Sequence, residues 1–226
     1  MSVNLWASTQ HALDYLGRAD SIPHRVEGES TLLEFIPPTA ARILDLGTGD
    51  GRLLALVKLD HPGATAVAID FSPAMLDAAH KRFAGDRSVE IMPHNLEEPL
   101  PELGAFDAVV SCFAIHHLIH ERKRSLYAEI YARLNSGGVF CNLEHVASPT
   151  PELHEGFLRH IGVTVETEDP SNQLLDLETQ LQWLREIGFS QVDCHWKWRE
   201  LALLTGQRPR AARNGMVRGP LLPTLW

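Results

Sequence analysis

The sequence is poor in the features that would take it out of the ordinary globular class. No apolar run approaches the roughly 20 residues that a membrane-spanning helix needs, so no membrane partner is expected. The first ten residues lack a basic stretch followed by an apolar one, and no signal peptide is expected. Cysteine is scarce. Cys112, Cys141 and Cys194 are far apart and odd in number. That excludes a disulfide framework and suits buried free thiols in a reducing, cytoplasmic compartment. Positive charge is in deficit, with 20 Lys and Arg against 29 Asp and Glu and a net charge of −9. A polyanionic partner such as nucleic acid is disfavoured, because its binders usually carry a basic face. Internal repeats and low-complexity tracts are absent too.

What is present suits a folded domain. The 226 residues, 44% hydrophobic and 22% charged, suffice for one domain with a full core. The exception to the acidic balance is residues 206–226. They carry Arg208, Arg210, Arg213 and Arg218, no acid, three prolines and three glycines. This stretch reads as a mobile basic tail behind a domain at 1–205.

The chain is organised around Ile43-Leu44-Asp45-Leu46-Gly47-Thr48-Gly49-Asp50-Gly51. A short apolar strand runs into three alternating glycines, and a helical pattern opens at Arg52. Strand, glycine turn and helix N-terminus make a nucleotide-type cofactor site. One glycine allows the tight turn, one lets a ligand lie on bare backbone, and one lets helix pack closely on strand. A dinucleotide fingerprint would need its third glycine at position 52, where this sequence has Arg52. An ordinary glycine turn without a ligand is the plainer alternative.

Further along, strands and helices alternate. Strand-like runs are expected at 64–69, 89–92, 106–113 and 139–143, with helices between them, so the sheet is parallel. Ser72-Pro73 reads as a helix start. Asn135-Ser136-Gly137-Gly138 reads as a turn. In front of the sheet, residues 1–38 read as a helical cap. Trp6, Leu13, Tyr15 and Leu16 suggest one amphipathic helix, and Val26, Leu32, Leu33 and Phe35 suggest the apolar face of a second. The rhythm breaks at 144–174, a long insert expected to lie over the carboxyl ends of the strands, where ligands bind in such sheets. It resumes with a helix at 177–187 and strands at 191–198 and 200–205.

These motifs together resemble those of class I S-adenosylmethionine (SAM) dependent methyltransferases, of the small-molecule type 11/12 kind, over about residues 40–205. The resemblance rests on Asp45-x-Gly47-x-Gly49-x-Gly51, on Asp70 at the end of the second strand, and on the loop His94-Asn95-Leu96. It also rests on the strand ending Ser111-Cys112, the turn at 135–138 and Gly188-Phe189. It implies a Rossmann-like, seven-stranded, mostly parallel sheet with helices on both faces and the last strand antiparallel. It implies SAM as cofactor, held by Asp45, Gly47, Thr48, Gly49, Gly51, Asp70, Phe71, Asn95, Leu96, Ser111 and Cys112. Asp70 would accept from the ribose hydroxyls, because a carboxylate offers two oxygens in one plane. Asn95 stands where the family usually has an acid for the adenine amino group, and its carbonyl can still accept.

The implied reaction is an SN2 methyl transfer to a small-molecule acceptor. The sulfonium is already a good electrophile, so the protein mainly positions the reactants. Where the nucleophile is protonated, a base is needed. Candidates are His116 and His117 after the fourth strand, and Glu144 and His145 at the end of the fifth. The alternative for the histidine pair is that it caps or packs the next helix. His116 and His120 are four apart, yet no third ligand motif supports a metal. Three rival readings stand beside this one: an RNA methyltransferase using the basic tail, a nicotinamide oxidoreductase, and a protein that holds SAM without catalysis. Nothing in the sequence speaks to oligomeric state.

Overall fold

The computed structural model describes residues 8–18 and 22–211. Helices α1 (Thr9–Arg18) and α2 (Arg25–Phe35) precede the sheet. Then come β1 (Arg42–Leu46), α3 (Arg52–Asp60), β2 (Thr65–Asp70), α4 (Pro73–Arg82), β3 (Val89–Pro93) and β4 (Phe106–Cys112). A single 3₁₀ turn (Ile115–His117) leads to α5 (His120–Arg133) and β5 (Leu134–His145). The chain continues through α6 (Pro151–His160), α7 (Leu177–Ile187), β6 (Ser190–Trp198) and β7 (Leu201–Gln207).

The seven strands form one sheet in the order β3-β2-β1-β4-β5-β7-β6. Every pairing among β1 to β5 is parallel, and β7 runs antiparallel to both its neighbours. The expected fold class is therefore the observed one. Strand alternation sorts the core into two layers. Leu44, Leu46 and Val109 pack with Leu126 and Ile130 of α5 and Leu184 of α7. Ile43, Ala108 and Val110 pack on the other face with Leu32 of α2 and Leu54 and Val57 of α3. Each fully buried Leu or Ile contributes about 1.5–3 kcal/mol. Order reverses between β1 and β4, so their carboxyl ends open a crevice, and the glycine loop lies in it.

Several local expectations need correction. The turn at 135–138 is absent: the chain stays extended from Leu134, which pairs with Phe106. A register shift between Phe106 and Ala108 and the positive φ of Gly137 (83°) absorb the bend instead. The tail does not begin at Gly206. Gly206 and Gln207 belong to β7, and Arg208 bonds back through its backbone N–H to the Gly138 carbonyl at 2.8 Å. Residues 212–226 lie outside the described residues, as do Trp6 and the side chains of Leu13, Tyr15 and Leu16. Helix α2 buries the expected Leu32 and packs Leu33 and Phe35 against the core, but Val26 is 66% exposed, and Arg25, Gly28 and Glu29 are buried beside Leu32. Ser72 stands at the N-cap of α4 but its hydroxyl makes no cap bond. Asp70 takes up the Ser72 N–H instead.

Candidate active site

The glycine loop divides its work as its spacing suggests. A Cβ on Gly47 (φ +64°) would lie 2.3 Å from the Ala114 Cβ, so this glycine permits the close approach of the loop after β4. A Cβ on Gly51 (φ +80°) would lie 2.5 Å from the Phe83 ring, which packs the α4 end against α3. At Gly49 (φ +58°) a Cβ would meet only the Met75 Sδ, at 3.9 Å, because this residue faces a cleft. Gly51 does not line that cleft; its role is packing.

Two carboxylates hold the loop. Asp45 is buried and accepts from the Thr48 hydroxyl at 2.6 Å. Burial pushes its pKa up to about 7, opposed by the Thr48 bond and helped by the charges of Asp70 and Asp50. Asp70 accepts from the Gly49 N–H at 2.9 Å through one oxygen and from the Ser72 N–H at 2.8 Å through the other. Its pKa is also raised by burial, against these backbone donors. Asp70 thus ties the glycine loop to the α4 start, and each oxygen keeps a second lone pair for a ligand hydroxyl.

Of the expected cofactor residues, Asp45, Gly47, Thr48, Gly49, Asp70, Phe71, Asn95, Leu96 and Cys112 all line this cleft. Ser111 does not. Alternation along β4 turns it inward, where it is fully buried and donates to the Leu46 carbonyl at 2.9 Å. Asn95 lines the cleft while its carbonyl accepts from the Glu97 N–H at 3.0 Å, a local Asx turn. The Cys112 thiol is pushed up to about 12, chiefly by burial, so it presents no thiolate.

The sequence reading missed a charged trio. Glu29 is 1% exposed and accepts from Arg25 Nε at 2.7 Å and Arg52 Nε at 3.0 Å. Both arginines line the cleft. The trio carries one net positive charge beside the glycine loop. Its signal was present at Arg25, Gly28, Glu29 and Leu32, one face of α2 at helical spacing. A search for apolar residues alone found Leu32 and passed over the charged pair beside it.

A second cleft adjoins the first, and Phe113 and His117 line both. The two span about 1010 and 1160 Å³, counting space open to solvent. Phe113 has φ 53°, a left-handed conformation that costs a non-glycine residue about 1–2 kcal/mol. The strain is held by its N–H bond to the Leu143 carbonyl at 2.8 Å, and it falls at the seam between the clefts. Apolar walls come from Phe157, Leu158, Ile161, Val163 and Leu201, and all but Leu201 lie within the 144–174 insert.

His116, His117 and His145 also line the second cleft. His116 Nδ1 lies 2.9 Å from Glu144 Oε1. His145 Nε2 lies 2.8 Å from Glu200 Oε2. The His116 and His117 rings lie 4.0 Å apart, tilted by 43°. Burial, then the charges of His145 and Lys123, holds the His116 pKa well below the usual imidazole range. Burial, then His116, does the same to His117, against Asp169 and Glu144. Both imidazoles are therefore held neutral at pH 7. Glu144 was expected to face the cleft, and it does not: it is fully buried behind His116, because successive strand residues point to opposite faces. His116 and His120 also share no helix face. The 3₁₀ turn ends at His117, and His120 donates outward to the Leu174 carbonyl at 3.2 Å.

A glycine loop at a sheet switch point, with an acid closing the second strand, defines a Rossmann-like nucleoside-cofactor site. A family profile described as a methyltransferase domain matches residues 44–140. A demethylmenaquinone methyltransferase of Clavibacter sepedonicus is 28% identical over 172 residues, covering 70% of this chain and 69% of that protein. Its counterpart in Thermus thermophilus is 38% identical over 111 residues, 48% of this chain and 49% of that one. An O-methyltransferase family protein of Burkholderia thailandensis superposes with a TM-score of 0.72 at 24% identity, covering 91% of this chain and 62% of that chain. Human N-acetylserotonin methyltransferase, solved with SAM, superposes with a TM-score of 0.67 at 19% identity, covering 91% and 58%. The chain thus spans about half to two thirds of the length of these proteins. With the fold and the loop, these matches make the chain similar to the class I SAM-dependent methyltransferases, whose cofactor is SAM.

Proposed function

We propose that this chain transfers the methyl group of SAM to a small organic acceptor with an apolar body and a protic nucleophile. The observation that carries the reading is the pair of adjoining clefts. One is built on the glycine loop and Asp70, the other is apolar with three histidines, and they meet at Phe113 and His117. In this reading Asp70 takes the ribose hydroxyls, Asn95 and Leu96 border the adenine, and Arg25 and Arg52 take the methionine carboxylate. The sulfonium lies at the seam. The acceptor lies in the second cleft with its nucleophile near His116, which takes the proton, while Glu144 positions the ring. Both named similarities, to quinone-precursor and O-methyltransferases, suit an acceptor of this type. Incubation with methyl-deuterated SAM and a metabolite extract, read by mass spectrometry, tests it. A labelled small molecule is expected. Folded protein that gives no calorimetric heat with SAM or S-adenosylhomocysteine (SAH) would overturn the reading.

SAM binding is expected to release a proton below pH 7. A sulfonium cation favours the charged form of Asp45, so bound Asp45 titrates lower than its free value of about 7. Between those two values the complex holds fewer protons, and affinity rises with pH before levelling above 7. Calorimetry in two buffers of different ionisation heat measures the release. Asp45→Asn should abolish it, and buffer-independent heats for the unaltered protein would exclude this role.

The insert is proposed to be the acceptor lid. Its far end is already latched: Ser171 bonds the His117 ring, and the Gln173 N–H bonds the His116 carbonyl at 2.8 Å. Hydrogen exchange with SAH and acceptor present is therefore expected to slow across 146–170, with little change at 171–174. Unchanged exchange across 146–170 would make the insert a static wall.

A further inference from the structure

One buried charge has no part in the chemistry above. Lys123, on the inner face of α5, is 1% exposed. Its ammonium donates to the His116 carbonyl at 3.4 Å and, by a shorter bond, to the Gln173 carbonyl. Gln173 in turn donates its own N–H to the His116 carbonyl. Three groups therefore close on one peptide: the histidine loop, the end of the insert, and Lys123. Burial raises the pKa of Glu144, the carboxyl behind the His116 ring, and the ammonium, within electrostatic reach, opposes that rise ahead of the His145 and Asn142 donors.

Glu144 is surrounded by donors. His116 Nδ1 lies 2.9 Å away, the His145 N–H donates at 2.9 Å, and Asn142 Nδ2 donates at 3.2 Å. A carboxylate can only accept. While Glu144 is ionised, the His116 proton must sit on Nδ1, which leaves Nε2 as the basic nitrogen. A protonated Glu144 could donate to Nδ1, and the ring proton would then move to Nε2, the wrong nitrogen for a base. The state of this buried carboxyl decides whether His116 is armed.

We propose that Lys123 is a positioning residue that couples the insert to the His116–Glu144 pair, holding Glu144 as the carboxylate while it pins Gln173 against the His116 loop. This rests on the reading of His116 as the base. The groups that face the pair are few. His145 flanks it from β5, His117 lies tilted against it, Lys123 and Tyr127 approach from α5, and Asp169 approaches His117 from the insert. Lys123 is the one cation among them whose charge does not depend on a histidine. Burial lowers its pKa to about 8, with Glu144 opposing, so it stays charged at neutral pH.

The test needs no acceptor, so its failure is separate from a failure of methyl transfer. Imidazole nitrogen resonances of the ¹⁵N-labelled SAH complex, assigned through H116Q, report which His116 nitrogen carries the proton. The unaltered protein is expected to show Nδ1–H at neutral pH. In K123M the carboxyl loses its cation and protonates more readily. The shift of the proton to Nε2 should then appear about one pH unit or more higher. Exchange of the Gln173 amide should quicken about tenfold or more. K123R should restore both. A merely structural role would alter exchange without moving the tautomer midpoint. The proposal is overturned if folded K123M keeps the tautomer midpoint of the unaltered protein, whatever its exchange rate. It is overturned equally, without any variant, if His116 already carries its proton on Nε2 at neutral pH.

Discussion

Gly49→Ala is expected to cost the protein its cofactor and leave its fold. Alanine at φ +58° carries about 1–2 kcal/mol of backbone strain. The new methyl has room, since its nearest protein neighbour is the Met75 Sδ at 3.9 Å. That room is the cleft, so the methyl stands where a ligand must lie against backbone. SAH affinity should fall by about 100-fold or more, roughly 2.7 kcal/mol. The melting temperature should fall only by what the strain explains. Gly47→Ala supplies the contrast. Its Cβ would lie 2.3 Å from the Ala114 Cβ, so this variant should lose stability first and binding as a consequence. Calorimetry with SAH beside thermal unfolding checks both. Unchanged SAH affinity in Gly49→Ala would place the ligand elsewhere.

His116→Gln is expected to lower kcat by about 10²–10⁴-fold, the usual contribution of a positioned general base. SAM affinity should stay within about threefold, roughly 0.65 kcal/mol, because His116 lines only the second cleft. The comparison that matters is His145→Gln. His145 has its own carboxylate, Glu200, and borders the same cleft. Glu200 is already engaged by His145, Ser148 and His154, and its pKa is lowered by those partners against its burial. That arrangement joins β5, α6 and the β6–β7 turn and suits the scaffold of the lid. A smaller loss in kcat is expected for His145→Gln. If the two effects are reversed, the base is His145 and the His116–Glu144 pair is structural.

Much of the chemistry was legible because it is local. A tight turn after a strand needs residues that tolerate positive φ, so Gly47, Gly49 and Gly51 declare it by spacing alone. Asp70 is legible for the same reason, being the last residue of a strand whose neighbour ends in that turn. The strand rhythm and the parallel sheet follow from apolar runs separated by helices, and even the stop at Gly188 (φ 116°) is visible as a lone glycine after a helical pattern.

What escaped the sequence is whatever depends on which face meets which. Ser111 and Glu144 are one residue out of phase with the clefts, and only the packed sheet decides that they point inward. Arg25, Glu29 and Arg52 lie up to 27 residues apart in number and become one charged group only when α2 meets the start of α3, where Arg52 reaches Glu29. Lys123 reads as one more charge in a polar helix; only the tertiary structure buries it against the His116 and Gln173 carbonyls. The sequence by itself therefore determined the strand-helix alternation and a nucleotide-type cofactor loop, which are written in backbone conformation and short spacing. The seven-stranded sheet and SAM followed from the resemblance those motifs carry. The acceptor cleft and the residues that arm it were decided by the tertiary structure. Burial and the side a residue faces are properties of the assembled layers, and no stretch of chain carries them alone.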